Sequence, residues 1–516
     1  MRLTQLLNKG LLERPRATAT VCGARRRSFA ELGDRVARLA GALQALGLPA
    51  GGRVGLLALN ADRTLEYLWG TWWAGGVVNP VNVRWTPQEV AYSLDDCDTR
   101  ILLVDDAFKD MAGPLRALSQ SLQVLVYVGD GAAPEGMLPY EELLAQASPV
   151  ADAGRQGDDL AGVLYTGGTT GKPKGVMLSH ANLYINALSG VAAAPRPDDA
   201  VGIVTAPLFH VGGISLVIQL MLRQCKQVIL PGFDEIAILN AVRDEGGSEV
   251  FMVPTMLKRL IEHPCFGEYD VSGLKLMIYG AAPIDGALLA QAAKALPATQ
   301  FTQAYGMTET APTVAMLPAW CHTTPGHEAK LRSVGRPVPI AEIRIVDPEG
   351  RPVPTGTAGE VIVRGPMVMQ GYWGKPEQTA QALKDGWMHT GDGGRFDEDG
   401  FLYITDRIKD MIVTGGENVY SVEVENVVAQ LPGVSMVGVI GLPDEQWGER
   451  VHAVVVVREG HTLTAEQVMA HCKSQIAGYK CPRSVEFRDQ LPLSAAGKLL
   501  KHVLRAPYWK DKGRSV

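Results

Sequence analysis

Short, uniformly apolar runs, each followed by an amphipathic stretch, recur through the first part of the chain. Residues 53–59 precede a helix-like segment at 62–75, and residues 99–105 precede another at 107–120. The runs at 123–128, 227–230 and 274–279 continue the series. A strand with one wet face alternates apolar and polar residues. These runs do not alternate, so both of their faces must be covered, as in a parallel sheet packed between helices. After about residue 335 the texture changes to short alternating strands with Gly/Pro turns, such as 342–346 and 359–364. That pattern predicts a small antiparallel, barrel-like subdomain. Beyond 405–410 lies a third pattern: helix 421–431, strand 434–441, strand 451–457, helix 464–477 and strand 484–488. The expected fold is α/β with α+β: a large N-terminal domain over 1–408, and a small C-terminal α+β domain over 409–516. Residues 410–516 hold equal numbers of acidic and basic side chains, so the larger domain carries the whole formal charge of −6.

That charge excludes nucleic acid as a principal partner, since no surplus of Lys and Arg exists to neutralise a phosphate backbone. The seven cysteines are odd in number, scattered and without a CxxC pair. They point to a reducing compartment and away from a disulfide framework or a zinc site. No signal peptide is legible at the N-terminus. The stretch between Asp199 and Arg223 bears no charge and is long enough to span a bilayer. It contains Pro207, His210, Gly212, Gly213 and Gln219, however, so a buried strand, loop and helix describe it better. A cytoplasmic protein without a transmembrane segment is expected; peripheral membrane contact and homodimer formation stay open.

The most informative segment is Leu164-Tyr-Thr-Gly-Gly-Thr-Thr-Gly-Lys-Pro-Lys-Gly-Val176. A strand runs into a turn rich in glycine, threonine and lysine. Glycines let backbone N–H groups converge on an anion, hydroxyls donate to its oxygens, and lysines balance its charge. The segment is not a Walker A loop, because Pro173 follows Lys172 where Ser or Thr should stand. Phosphate handling is the expectation, and a flexible surface turn is the plainer alternative.

Residues 166–175 resemble the signature of the adenylate-forming enzymes, the acyl-CoA synthetases in particular. Gly167 stands where their usual form has Ser. Further blocks of that family follow in order: Pro207-Leu-Phe-His-Val211, Gly280-Ala-Ala-Pro283, Gln303-Ala-Tyr-Gly-Met-Thr-Glu-Thr310, Trp387-Met-His-Thr-Gly-Asp392, Asp406-Arg-Ile-Lys-Asp-Met-Ile412, Gly415-Gly-Glu-Asn418 and Pro492-Leu-Ser-Ala-Ala-Gly-Lys498. The segment 73–84 also looks like the family. The resemblance implies an AMP-forming acid–thiol ligase that uses ATP, Mg²⁺ and coenzyme A. A small-molecule carboxylate attacks the α-phosphate of ATP to give an acyl-adenylate and pyrophosphate, and the CoA thiol then displaces AMP. Such chemistry asks for charge neutralisation more than for a protein nucleophile; consistently, no GxSxG elbow occurs.

Carried over residue by residue, the resemblance assigns ATP to Thr166, Gly167, Gly168, Thr169, Thr170, Gly171 and Lys174. It adds the wall Gly280-Ala281-Ala282 and the run Gln303, Ala304, Tyr305, Gly306 and Met307, with Tyr305 stacking on adenine. Thr308 goes to a phosphate oxygen and Glu309 to Mg²⁺, a hard cation that prefers carboxylate oxygen. Asp392 would accept from both ribose hydroxyls, a grip its lone pairs allow, with Arg407 as its companion. Lys498 would bridge carboxylate and α-phosphate as charge builds. Gly415, Gly416, Glu417 and Trp447 would meet CoA, with Tyr479 beside Trp447. His210, Val211, Gly212, Tyr279 and Gly306 would meet the acid, and Lys409 would be the hinge on which the small domain turns between the two steps. Arg483 and Lys501 read as surface charges.

The acid itself is less defined. The run 211–222 offers no counter-charge for an ammonium, whose burial there would be costly, so an amino acid is disfavoured. The apolar texture favours a medium- or long-chain fatty acid, with an aryl or arylalkenyl acid second. Loading of a carrier protein without CoA is the alternative from a different class.

Overall fold

The computed structural model describes residues 1–166, 173–194, 196–197, 199–282, 284, 286–407, 410–414, 417–444, 446–494 and 498–510, the side chains of 406, 407, 417 and 418 excepted. Two large, mostly parallel sheets make up the N-terminal part. The first has eight strands in the spatial order 371–372, 174–179, 160–166, 77–80, 53–57, 99–104, 124–127 and 138–139. The second has nine, ordered 336–337, 313–317, 300–306, 276–280, 249–252, 201–204, 226–229, 18–22 and 25–28. Their central strands are buried on both faces, which is why they read as unbroken apolar runs. A smaller antiparallel sheet follows, in which Gly359–Arg364 lies between Glu342–Val346 and Trp387–Phe396, and the last of these also pairs with Leu402–Arg407. The C-terminal residues form a separate five-stranded sheet flanked by helices Ser421–Val428, Ala465–Gln475 and Lys501–Trp509.

Local chemistry sets the element ends. Helix Phe29–Ala45 opens with a reciprocal capping box in which Ser28 and Glu31 bond each other's backbone N–H. The helix expected at 107–120 is shorter, Ala112–Leu118, after a single turn at Lys109–Met111. Pro114 is tolerated only in a first turn. The charge-free run divides into strand Val201–Val204 and helix Val211–Leu222, most of whose residues are buried. No described helix is long and apolar enough to cross a membrane.

Between strands Gln300–Gly306 and Thr313–Leu317 the chain makes a tight turn that includes the 3₁₀ segment Thr308–Thr310. Gly306 is needed there, because a Cβ at that position would collide with the Pro312 carbonyl. Asn186, fully buried on helix His180–Ala193, holds the turn from beneath. Its Nδ2 donates to the carbonyls of Thr310 (3.1 Å) and Thr313 (2.8 Å), and its Oδ1 accepts from Thr313 N (3.3 Å). Asn186→Ala should therefore lower stability by about 2–4 kcal/mol, the cost of stranding buried backbone groups. Denaturant melts check the figure, and a loss below about half a kcal/mol would remove Asn186 from this role.

Burial pushes His180, which accepts from Leu3 N, and His322, which meets the Tyr279 hydroxyl at 2.9 Å, down to about 4. Both stay neutral in the folded chain where an unfolded histidine, with a pKa near ~6.5, takes up a proton. The unfolded state then binds more protons, so stability falls as pH drops from about 6.5 toward about 4. Each such histidine contributes up to ~1.4 kcal/mol per pH unit inside that window. Melts at about pH 7 and about pH 5.5 should show the loss, and His180→Gln should flatten it by close to one proton's worth.

Candidate functional site

The three sheets of the N-terminal part meet around the Thr308–Thr310 turn. Glu309 is buried there. Its backbone carbonyl accepts from Met369 N at 2.8 Å, and its Oε1 accepts from the Tyr372 hydroxyl at 2.9 Å. Tyr372 belongs to the eight-stranded sheet, where it lies opposite Val176. The Glu309–Tyr372 bond thus joins the two large sheets. On the adjoining strand Lys174–Ser179, Lys174 sets its ammonium 5.0 Å from the Tyr372 ring centre and lies opposite Thr166 across the hairpin. On the other side, the Tyr305 hydroxyl donates to Asp392 Oδ2 at 2.6 Å, which ties the nine-stranded sheet to the antiparallel one. Thr390 Oγ1 steadies Asp392 by accepting from its N–H at 3.0 Å, and Arg407 sits directly across the ladder.

Gly280 and Ala304 are register partners on adjacent strands, and a Cβ on Gly280 would strike the Ala304 carbonyl. The strand end therefore lies flush against Gln303–Met307. Ala281 follows at φ +65°, a left-handed conformation that a non-glycine residue adopts only at a cost. Thr308 is half-buried beside them. Among the described residues no three His, Cys, Asp or Glu side chains cluster closely enough to hold a metal alone. Mg²⁺ uses one or two carboxylates and completes its shell with phosphate oxygens and water, so Glu309 fits that ion.

A second corner is electropositive. His210 caps helix Val211–Leu222, and its ring nitrogen Nε2 meets no hydrogen-bond partner among the described residues. Burial, then the charges of Lys498 and Arg84, push His210 down to about 4. It is a neutral wall. Lys498, from the far C-terminal end of the sequence, has thus been brought within electrostatic reach of the helix N-terminus, whose own dipole also favours an anion. Three contributions to positive potential converge where the helix begins.

Beyond that corner one face of the helix changes from small to polar. Gly212, Ser215 and Gln219 share that face by their i, i+3, i+7 spacing. Beside Gly212 the Phe251 ring lies 3.8 Å from where a Cβ would stand. Two turns further on the face is buried, and Gln219 lies 3.1 Å from where a Cβ on Gly190 of the neighbouring helix would stand. Gln219 Nε2 donates to Ser215 Oγ (3.0 Å), and Gln219 Oε1 accepts from Arg196 (2.5 Å). The fully buried Glu249, two residues before Phe251 on the same strand face, accepts from Arg196 and, at 2.8 Å, from Arg223. Seven residues of helix separate Gly212 from Gln219, a rise of about 10 Å.

Tyr279 does not join this site through its side chain, contrary to expectation. Successive strand residues face opposite ways. Tyr279 is 0% exposed and packs with Met252, Leu257 and Leu289 in a separate core, its hydroxyl on His322. Lys501 is likewise no surface charge: it is buried, bonded to Ser421 and paired with Glu425 at 2.9 Å. In the C-terminal unit Trp447 is partly exposed and carries the Arg483 guanidinium 4.7 Å from its ring centre, whereas Tyr479 lies against Lys480. Gly167, Gly168, Thr169, Thr170, Gly171, Lys409, Gly415 and Gly416 lie outside the described residues, as do the side chains of Arg407 and Glu417. Sequence reasoning missed Tyr372, Phe251 and the Arg196–Glu249 network. Arg196 lies in a Pro/Asp-rich connection and Glu249 follows a polar stretch, so no local signal marked their pairing.

The AMP-binding enzyme family matches residues 9–373, and its C-terminal domain matches residues 423–498. Feruloyl-CoA synthase of an Amycolatopsis species is 39% identical over 493 residues, 95% of this chain and 96% of its own. Fatty acid–[acyl-carrier-protein] ligase ScoC of Streptomyces coeruleorubidus is 35% identical over 508 residues, 97% of this chain and 95% of its own. Among solved structures, ATP-bound MatB from Rhodopseudomonas palustris superposes with a TM-score of 0.89 at 33% identity, covering 100% of this chain and 100% of its own. The apo form of MatB gives 0.80 at 34% identity over 99% of each. With both family domains matched in order over nearly the whole length, the chain belongs to the AMP-binding enzymes, the adenylate-forming superfamily of acyl-CoA synthetase type.

Proposed function

We propose that the protein is an AMP-forming carboxylate–CoA ligase whose acid is a compact arylalkenyl-type molecule with a polar far end. The observation that carries the ligase reading is the approach of the Lys498 segment to the N-terminal domain, where Arg84 binds the Ser494 carbonyl and the Lys498 charge reaches His210 at the positive end of helix Val211–Leu222. The acid's carboxylate would rest at that helix end, with Val211, Gly212 and Gly306 close to its first carbons. Lys498 would balance the charge as one carboxylate oxygen bonds the α-phosphorus and the bond to pyrophosphate breaks. ATP would lie across Thr166, Lys174 and residues 167–171, with Gly280–Ala282 and Gln303–Met307 along its base and Thr308 on a phosphate oxygen. Asp392 would take the ribose hydroxyls, with Arg407 beside it. Mg²⁺ held by Glu309 would neutralise phosphate charge. Tyr372, by donating to Glu309, fixes which carboxylate oxygen faces that charge.

For the second half-reaction we propose that residues 409–516 turn about Lys409 and bring Gly415, Gly416, Glu417 and Trp447 to CoA, whose thiol displaces AMP. The structure's likeness to ATP-bound MatB over its apo form supports an adenylation-competent orientation here.

An acyl group laid along this helix face from Gly212 would meet the buried polar groups of Ser215 and Gln219, which favours the arylalkenyl acid over a long-chain fatty acid. A long alkyl chain would have to pass Gln219 and break the buried Arg196–Glu249 pair, and such breakage is strongly destabilising. An acid ending in a hydroxyl or methoxy group can bond Gln219 or Ser215 instead. The likeness to feruloyl-CoA synthase points the same way, and that to ScoC keeps transfer to a carrier protein as a second reading.

Pyrophosphate release with a series of linear acids and hydroxycinnamates, each with and without CoA, tests the acid class. Hydroxycinnamates should exceed palmitate in kcat/KM by at least ~10², and comparable turnover of palmitate would overturn it. CoA-independent AMP release would favour the carrier-protein reading. For the ligase reading itself, Lys498→Ala should cut acyl-adenylate formation by ~10²–10³ and leave thioester formation from supplied acyl-adenylate near normal; equal damage to both steps would remove Lys498 from this role.

A further inference from the structure

We propose that Arg84 is a positioning residue for adenylation, a latch that holds the Lys498 hairpin against the N-terminal domain. The idea rests on the reading of Lys498 given above. Arg84 Nη1 donates to the Ser494 carbonyl at 3.2 Å, across 410 positions of sequence. Ser494 is bound to Lys498 twice: Ser494 N donates to Lys498 O at 2.7 Å, and Ser494 Oγ accepts from Lys498 N at 3.0 Å. Leu493 bridges Leu499, and Leu500 N donates to Pro492 O at 2.9 Å. Ser494 and Lys498 are thus opposite sides of one clasped hairpin, and a grip on the first fixes the second.

Arg84 is itself well mounted. Its N–H donates to Asn82 Oδ1 at 3.0 Å, and helix Pro87–Asp96 begins just beyond it with a Thr86/Glu89 capping box. Its neighbour Trp85 packs edge-on to Tyr165, ring centres 6.3 Å apart, and Tyr165 precedes Thr166, one of the residues proposed above for ATP. The backbone that presents the guanidinium is therefore tied to the strand that leads to ATP. Only the side chain remains to be ordered. The partner is a neutral carbonyl in an exposed place, so water can replace it when the hairpin leaves. A charged donor on such a carbonyl is strong enough to bias an orientation and weak enough to release it. Arg84 and Lys498 both act on His210, so the latch closes next to the acid's carboxylate end.

The test uses the full chain as Arg84→Ala and Arg84→Lys, with thermal melts to confirm folding. Two rates are measured: acid-dependent pyrophosphate release, and thioester formation from supplied acyl-adenylate and CoA. Arg84→Ala should slow the first about tenfold and leave the second unchanged or faster, and Arg84→Lys should recover most of the loss. In a Lys498→Ala background, Arg84→Ala should cost less than about twofold further, because the latch acts through that lysine and only the longer-range charge of Arg84 is left to lose. Equal losses in both half-reactions, no loss in either, or a full additional tenfold on top of Lys498→Ala would each overturn the latch. Lys498→Ala alone probes the reading beneath it. Normal adenylation in that variant would bring down reading and latch together, whereas a crippled Lys498→Ala beside a silent Arg84→Ala would remove the latch alone.

Discussion

An irregular turn in the middle of a protein is tolerated only if its backbone polar groups find partners, since no water reaches them. The turn at Thr308–Thr310 meets that condition through Asn186 from below, through Met369 N on the Glu309 carbonyl, and through Thr310 Oγ1, which donates toward Pro312 O at 2.6 Å. The rest of the site depends on it. Glu309 reaches Tyr372 on the other large sheet because the turn is held at one height, and Tyr305 reaches Asp392 because its strand ends there. Two hydroxyl–carboxylate bonds then lock three sheets together at the place where ATP is proposed to bind. The same contacts that organise the fold orient both carboxylates, so stability and positioning are not separable at these four residues.

The chemistry brings anions together, yet the chain is negatively charged overall. Positive potential at the site is accordingly local. It comes from Lys174, from Lys498 and Arg84, and from a helix N-terminus, most of them on turns and hairpins outside the sheet cores. Burial pushes His210 in the opposite direction, so the ring adds no charge and forms a wall. A cationic histidine there would bind a carboxylate more tightly in the ground state as well, without selective benefit to the transition state.

How much of this was legible in the sequence follows from what period and spacing encode. Apolar runs without alternation marked both parallel sheets, and glycine- and hydroxyl-rich blocks marked the strand ends where a ligand would sit. Side-chain direction was harder. Tyr279 and Gly280 are neighbours in one block, but only one of two successive strand residues can face a given side, and a motif does not say which. Lys501 looked like any C-terminal lysine until Ser421 and Glu425, some eighty residues earlier, closed over it. Tyr372 and Arg84 matter through partners on other sheets or in the other domain, and no local window contains such a partner. Arg196 and Glu249 stand 53 positions apart in ordinary polar stretches, and only the fold shows that they form a buried pair beside Gln219.

The two proposed half-reactions need the C-terminal unit to sit in two ways, and its construction permits this. Its apolar residues bury one another: Ile412, Val424, Val439, Val451, Val455 and Val468 belong to a core with no described member from the large domain. A second small cluster of Ile440, Leu442, Val454, Leu491 and Leu504 is also drawn wholly from this unit. A body with its own core can turn without exposing it. Because residues 410–516 carry no net charge, turning them past a domain of charge −6 changes little in the long-range energy. The choice between orientations then falls to short-range contacts at the interface, where a single guanidinium on a carbonyl is of the right order to tip it. In the proposed scheme, ATP and acid would add anions beside Arg84 and Lys498 and favour the orientation in which both cations face the site, whereas departure of pyrophosphate would remove much of that attraction. The leaving group of the first step would then also free the domain for the second.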